Sequence, residues 1–235
     1  QGLADKLIAD NPQMGDEPIA SPHVPGSGAQ GIKSDSGWLD FPTYAPILNM
    51  VEQLIGPDVI LWGSTFFHKP PGEQRTVPWH RDGRYWPIKP LDTISVWIAI
   101  TETTAENGCL RVIPGSHRMP YHKALANQEI DGASMPFGVD GPDLPAAALE
   151  IAPGNVILFN HCTWHAAYGG TDNRRYIAMK FAARPTDRDQ LLSFKRYTPK
   201  IFQPHHAFLT HDNPRIRRLV QDLPLYASGH LLTRR

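Results

Sequence analysis

The segment PWHRDGRYWPI, Pro78 to Ile88, sets His80 two positions before Asp82 among aromatic and cationic neighbours. An imidazole nitrogen and a carboxylate oxygen are both ligands for a divalent metal. In an extended segment the side chains of residues i and i+2 project from one face, so the spacing predicts that a single strand end offers both. Two ligands do not complete a centre. A third is on offer in FNHCTWHAAYGGTDNRRYIAMKF, where His161 and His165 both stand ahead of a Gly-rich turn and a strand. Two histidines and one carboxylate on one face, with the remaining positions open, form the ligand set of non-haem Fe(II) oxygenases. The open positions take a chelating co-substrate and dioxygen. A donor set of nitrogen and oxygen without thiolate suits Fe(II) better than a closed structural zinc site.

An H-x-D pair alone is common as a surface or core-edge pair, so the context has to add weight. Trp79 and the aromatics after His80 supply it as candidate pocket walls. His68, His117, His122, His205 and His206 are read as turn caps or solvated residues. No H-E-x-x-H, G-x-S-x-G or P-loop occurs in the sequence, which excludes the zincin reading and offers no support for a hydrolase or nucleotide-binding one.

The elements that must position these residues are mostly short strands. VILWGSTFFHK (59–69), TISVWIAIT (93–101) and RRYIAMKFAA (174–183) are rich in β-branched and aromatic residues. ENGCLRVIPGSHR (106–118) reads as an Asn-Gly turn, a strand through Val112 and Ile113, and a Pro-Gly turn. LEIAPGNVILFNH (149–161) reads as two strands about Pro153-Gly154. APILNMVEQLIG (45–56) has helical apolar periodicity and a glycine stop. Residues 1–40 are expected to be largely loop, and 119–148 an irregular flap. Short strands separated by turns, with little helix after residue 56, predict a mainly β sandwich or jelly roll in one domain spanning 1–235.

Lys and Arg number 23, as do Asp and Glu, so there is no basic field for nucleic acid. Two cysteines, Cys109 and Cys162, are too few for a disulfide framework and fit a reduced, cytoplasmic setting. No apolar run approaches the ~18 residues of a membrane span, and the stretch after Gln1 does not read as a signal peptide. The oligomeric state is not legible.

These residues resemble the phytanoyl-CoA dioxygenase-like Fe(II)/2-oxoglutarate oxygenases. The resemblance runs from about Leu61 to Ala183 through WHRD at 79–82, VWIAI at 96–100, ENGCLRVIPGSHR at 106–118, APGNVILFN at 152–160 and the His165-to-Arg174 segment. It implies a double-stranded β-helix (cupin-like jelly roll) with flanking helices and a metal at one open end. It implies His80, Asp82 and His165 as iron ligands, and 2-oxoglutarate and O2 as co-substrates. The far carboxylate of 2-oxoglutarate would pair with an arginine on the strand after the distal histidine. Strand alternation sends Arg174 and Arg175 to opposite faces; the family's spacing of seven residues to a Phe, here Phe181, favours Arg174. Trp97, Lys69 and Thr93 are further candidates for the co-substrate. Arg84, Tyr85 and Trp86 are candidates for the prime substrate, expected to be small and polar or anionic. Two rival classes stay open: an oxygen-independent cupin-like metal enzyme, and a non-catalytic binding domain on the same barrel.

Overall fold

The computed structural model describes residues 1–23, 31–72, 76–85, 88–118, 146–170, 173–197 and 206–220. Nine strands are described: β1 (Ile19–Ala20), β2 (Val59–Lys69), β3 (Val77–His80), β4 (Thr93–Ala99), β5 (Leu110–Val112), β6 (Ala147–Leu149), β7 (Val156–Asn160), β8 (His165–Ala167) and β9 (Arg174–Ala183). They form two antiparallel sheets, in the orders β1-β2-β9-β4-β7 and β3-β8-β5-β6. This is the jelly roll that the strand spacing predicts.

The larger sheet is covered on both faces, and its sequence shows it. All seven residues of β4 are buried, and β9 is buried at all but its Arg175, Lys180 and Ala183 positions. One face carries Ile94, Val96, Ile98, Ile177, Met179 and Phe181 into a core shared with the helical layer. The other carries Trp97, Tyr176 and Ala178, which pack with Leu110 and Ile157 between the sheets. Period-2 alternation therefore sorts each strand into a helix-facing set and a site-facing set.

Helix α1 (Gly2–Asp10) lies in the stretch expected to be largely loop. It buries Ala4 and Leu7, and Arg175 on the outward face of β9 pairs with its Asp5. Leu3, Ala4, Leu7 and Ile8 carry the spacing of one helix face, a signal that the loop reading of this stretch passes over. Helix α3 (Ala45–Ile55) follows two short helical turns, Ser36–Leu39 and α2 (Asp40–Thr43). Proline in its first turn and Gly56 at φ 94° bound it, and Ile47, Leu48 and Val51 are buried. Each such burial contributes about 1.5–3 kcal/mol. Of the expected flap, 119–145 lies outside the described residues, while Ala147 and Ala148 belong to β6 and pair with β5. Pairing to an existing edge, not local propensity, makes that segment a strand.

One tight junction fixes β8 against the loop before β5. Gly108 has φ 81°, and a Cβ there would lie 2.2 Å from the carbonyl oxygen of Tyr168; one on Gly170 would lie 2.4 Å from the backbone of Asn107. Asn107 holds the loop by accepting from the Thr104 N–H and donating to the Glu102 carbonyl. Gly108→Ala is expected to cost about 2–4 kcal/mol, the sum of a left-handed backbone penalty and a backbone clash. Urea denaturation checks this, and an unchanged midpoint would contradict the packing.

Candidate active site

The two imidazoles are brought together by strand register. His80 ends β3 and lies directly opposite His165, which begins β8. Their ring centroids are 4.1 Å apart. Each Nδ1 sits against a main-chain carbonyl two residues upstream: Pro78 at 2.8 Å for His80 and Thr163 at 2.9 Å for His165. A carbonyl can only accept, so each Nδ1 carries the hydrogen and each Nε2 is left with its lone pair. Both Nε2 atoms stand 3.9 Å from Oδ1 of Asp82. Three acceptor atoms thus converge at separations too long for hydrogen bonds, which is the arrangement that holds a cation. Ligand atoms of all three residues lie within 4.8 Å of one another.

Asp82 does not share an extended segment with His80. The strand ends at His80, and Asp82 opens a short helical turn, α4 (Asp82–Tyr85). The turn, not strand alternation, brings its carboxylate back over the imidazoles. Gly83 permits it: its N–H donates to the His161 carbonyl, and a Cβ there would lie 3.0 Å from the His161 ring. His161 itself is buried edge-on to Trp62 and is not among the three converging residues.

Two residues that the sequence reading passes over hold the far side of Asp82. Oδ2 accepts from Ser95 Oγ at 3.1 Å and from Lys180 Nζ. Ser95 and Lys180 are directly opposite on β4 and β9 and face inward. Burial alone would raise the Asp82 carboxyl, but the positive charge beside it, led by the Lys180 ammonium, outweighs it and holds the group well below the usual carboxylate range. Burial lowers both histidines; His165, beside His80, is pushed down to about 3.

A second cluster lies further along the same inner face. Arg174, opposite Lys69 across β9 and β2, is 1% exposed. Its guanidinium lies over the rings of Tyr176 and Trp97, at 5.1 and 5.9 Å to the centroids. Tyr176, also missed from sequence, stacks on Phe67 and packs against Trp97 with ring centroids 4.0 Å apart. Lys69 donates to the Tyr168 carbonyl at 2.6 Å. Nε and Nη1 of Arg174 have no hydrogen-bond partner among the described residues. Like charges directly opposite on a buried face are unfavourable, and unpaired buried donors cost more; an anion bound between them would relieve both. Arg175 faces away, toward Asp5. Thr93 is buried on the inner face but opposite Ala182, beyond Lys180 and at the far end of the row from Arg174. The register therefore separates Thr93 from Lys69 and Trp97. At the rim, Arg84 is exposed and Tyr85 is 54% exposed with its ring 5.9 Å from that of His80. Trp86 lies outside the described residues.

A sequence model of the family described as phytanoyl-CoA dioxygenase (PhyH) matches residues 5–176. The chain belongs to the PhyH family. Among PhyH relatives it is 27% identical over 148 residues to the peroxisomal phytanoyl-CoA dioxygenase of Bos taurus, covering 60% of this chain and 44% of that one. It is 31% identical over 144 residues to dioxygenase lolE1 of Epichloe uncinata, covering 61% and 52%. The chain thus spans about half the length of these curated relatives. Among solved structures, EvdO2 from Micromonospora carbonacea var. aurantiaca complexed with 2-oxoglutarate is 27% identical with TM-score 0.52, covering 65% of this chain and 64% of that one. EctD from S. alaskensis, with 2-oxoglutarate and 5-hydroxyectoine, shares the fold at 24% identity and TM-score 0.58, covering 77% and 66%. Among the described residues no helix is long and apolar enough to cross a membrane.

The buried histidines give the metal-free protein a pH dependence of definite sign. An unfolded histidine takes up a proton near pH 6.5, whereas folded His165 resists until about 3. Between these values the unfolded chain binds the extra proton, so stability falls as pH falls, by about 1 kcal/mol per pH unit from this residue. Below about pH 4 the depressed Asp82 carboxyl adds a loss of the same sign. The urea midpoint is expected to be lower at pH 5 than at pH 7.5, with a shallower dependence in His165→Gln. A midpoint that does not move would mean the imidazoles are not buried as described.

Proposed function

We propose that residues 1–235 form one Fe(II)- and 2-oxoglutarate-dependent oxygenase domain that hydroxylates a small, polar or anionic molecule. His80, Asp82 and His165 hold the ferrous ion, and Arg174 with Lys69 anchors the far carboxylate of 2-oxoglutarate. When bound there, iron and 2-oxoglutarate supply dioxygen activation: one oxygen atom enters succinate as CO2 leaves, and the other enters a substrate C–H bond. The observation that carries this reading is Arg174. A bare two-histidine, one-carboxylate cluster suits an oxygen-independent metal enzyme equally well. A buried arginine with two unmet donors, opposite a lysine and on the inner face that also carries Lys180, calls for a dianionic co-substrate. The PhyH membership and the EvdO2 complex with 2-oxoglutarate support the same assignment.

The protein's part is placement. Main-chain carbonyls keep both histidines in the tautomer that binds metal through Nε2. Trp97 and Tyr176 wall the arginine and keep water from competing for it. Arg84 and Tyr85 stand at the rim beside His80, where an anionic substrate group would meet the cation and an aromatic face. The unpaired, buried Cys109 and Cys162 support the reading of a reducing, cytoplasmic setting.

The deciding experiment is anaerobic titration with Fe(II) and 2-oxoglutarate, followed by succinate release across small carboxylates, amino acids, phosphonates and acyl-CoA esters. Absence of a 2-oxoglutarate-dependent charge-transfer band would end this reading; stimulation by acyl-CoA alone would end its small-substrate part. His80→Ala, Asp82→Ala and His165→Ala are each expected to abolish turnover and weaken metal binding strongly. Arg174→Ala is expected to raise the 2-oxoglutarate KM on the order of 100-fold, the worth of a charge-assisted bidentate pair, while Arg175→Ala leaves it unchanged.

A further inference from the structure

Lys180 is a cation where the strand has no structural need of one. It sits among the apolar residues of IAMKFAA on β9, with its side chain 15% exposed. Such a residue is buried only when paired. Its ammonium bonds Oδ2 of Asp82, whose Oδ1 faces both imidazoles, and it lies 3.2 Å from Ser95 Oγ. Gly63 lies directly opposite on β2, where even a Cβ would come no closer than 3.5 Å to the lysine stem. With two neutral imidazoles, one carboxylate and one ammonium, the fixed charge around the three ligand atoms sums to zero.

Resting on the metal-site reading above, we propose that Lys180 is a charge-setting, positioning residue that lowers the site's affinity for the bare divalent ion and raises its affinity for the anionic co-substrate. The sign follows from what changes on binding. The Lys180–Asp82 attraction exists before and after the ion arrives, so it cancels from the binding equilibrium. The repulsion between ammonium and dication appears only afterwards, with twice the charge product. The ion then keeps both charges until an anion enters the open positions. A dianion such as 2-oxoglutarate is attracted by ion and ammonium together. Retention of the metal thereby comes to depend on the co-substrate.

Anaerobic calorimetry with Co(II), then with 2-oxoglutarate on the Co(II)-loaded protein, tests this on wild type, Lys180→Met, Lys180→Arg and Ser95→Ala. Lys180→Met is expected to bind bare Co(II) about tenfold tighter and 2-oxoglutarate several-fold more weakly. Lys180→Arg, which keeps the charge, should match wild type, and Ser95→Ala should show no tightening. Structural damage would weaken both affinities, so the opposed shifts are the diagnostic. Co(II) binding that is unchanged or weaker in Lys180→Met, or 2-oxoglutarate binding that does not weaken, overturns the proposal. Should Lys180→Met fail to fold, Lys180→Gln keeps a donor for Oδ2 without the charge and reads the same two shifts. If wild type itself binds no divalent ion, the metal-site reading fails and the proposal with it; if wild type binds and the variant does not tighten, only the proposal fails.

Discussion

Two imidazole lone pairs and a carboxylate oxygen are held face to face by the fold, and none of the three atoms has a proton to offer the others. Such a convergence is unfavourable unless a positive charge occupies or adjoins it. The rest of the inner face can be read as an answer to that constraint. Lys180 and Ser95 satisfy the back of the carboxylate. The cross-strand pairing of β3 with β8 keeps the rings from turning away. The larger sheet, packed on its outer face against the helical layer, carries Ser95 and Lys180 on paired central strands.

Strand β9 joins the two halves of the site. Its inner face carries Arg174, Tyr176, Ala178, Lys180 and Ala182 in sequence, with an aromatic and a small residue between the two cations. Its outer face carries Ile177, Met179 and Phe181 into the core, with Arg175 reaching the first helix. The separation along the chain between the ammonium that bonds Asp82 and the guanidinium is therefore a fixed property of one strand. It does not depend on loop conformation, which suits recognition of a ligand of fixed length.

Much of this was legible in the sequence, and the gaps have physical causes. The H-x-D pair, the helix at 45–55 and the main strands follow from residue type and periodicity, whereas spacing leaves His161 and His165 both open and only the family resemblance favours His165. The extended H-x-D reading expects these two side chains to converge, and they do, by another route: a strand ending at His80 followed by a helical turn brings Asp82 to the same place. Alternation separates Arg174 from Arg175 but cannot say which one meets the core. That depends on which face the second sheet covers. Thr93 shares a face with Trp97 yet lies at the other end of it, since a face is legible from period and a position along it only from register. Lys180 could have been found: a lysine inside IAMKFAA asks for a buried partner. Tyr176 could not, being an unremarkable aromatic until its neighbours are known.

The hydrogen of each imidazole is held by a main-chain oxygen from its own strand or the turn before it, Pro78 for one and Thr163 for the other. Among the described residues, the hydrogen-bond partner of each Nδ1 is main chain and not side chain. Neighbouring positions can therefore change identity over generations without the rings losing their orientation, provided the backbone path is kept. A scaffold whose centre is aimed by its main chain can acquire new specificities by drift at its rim, with the chemistry inherited intact.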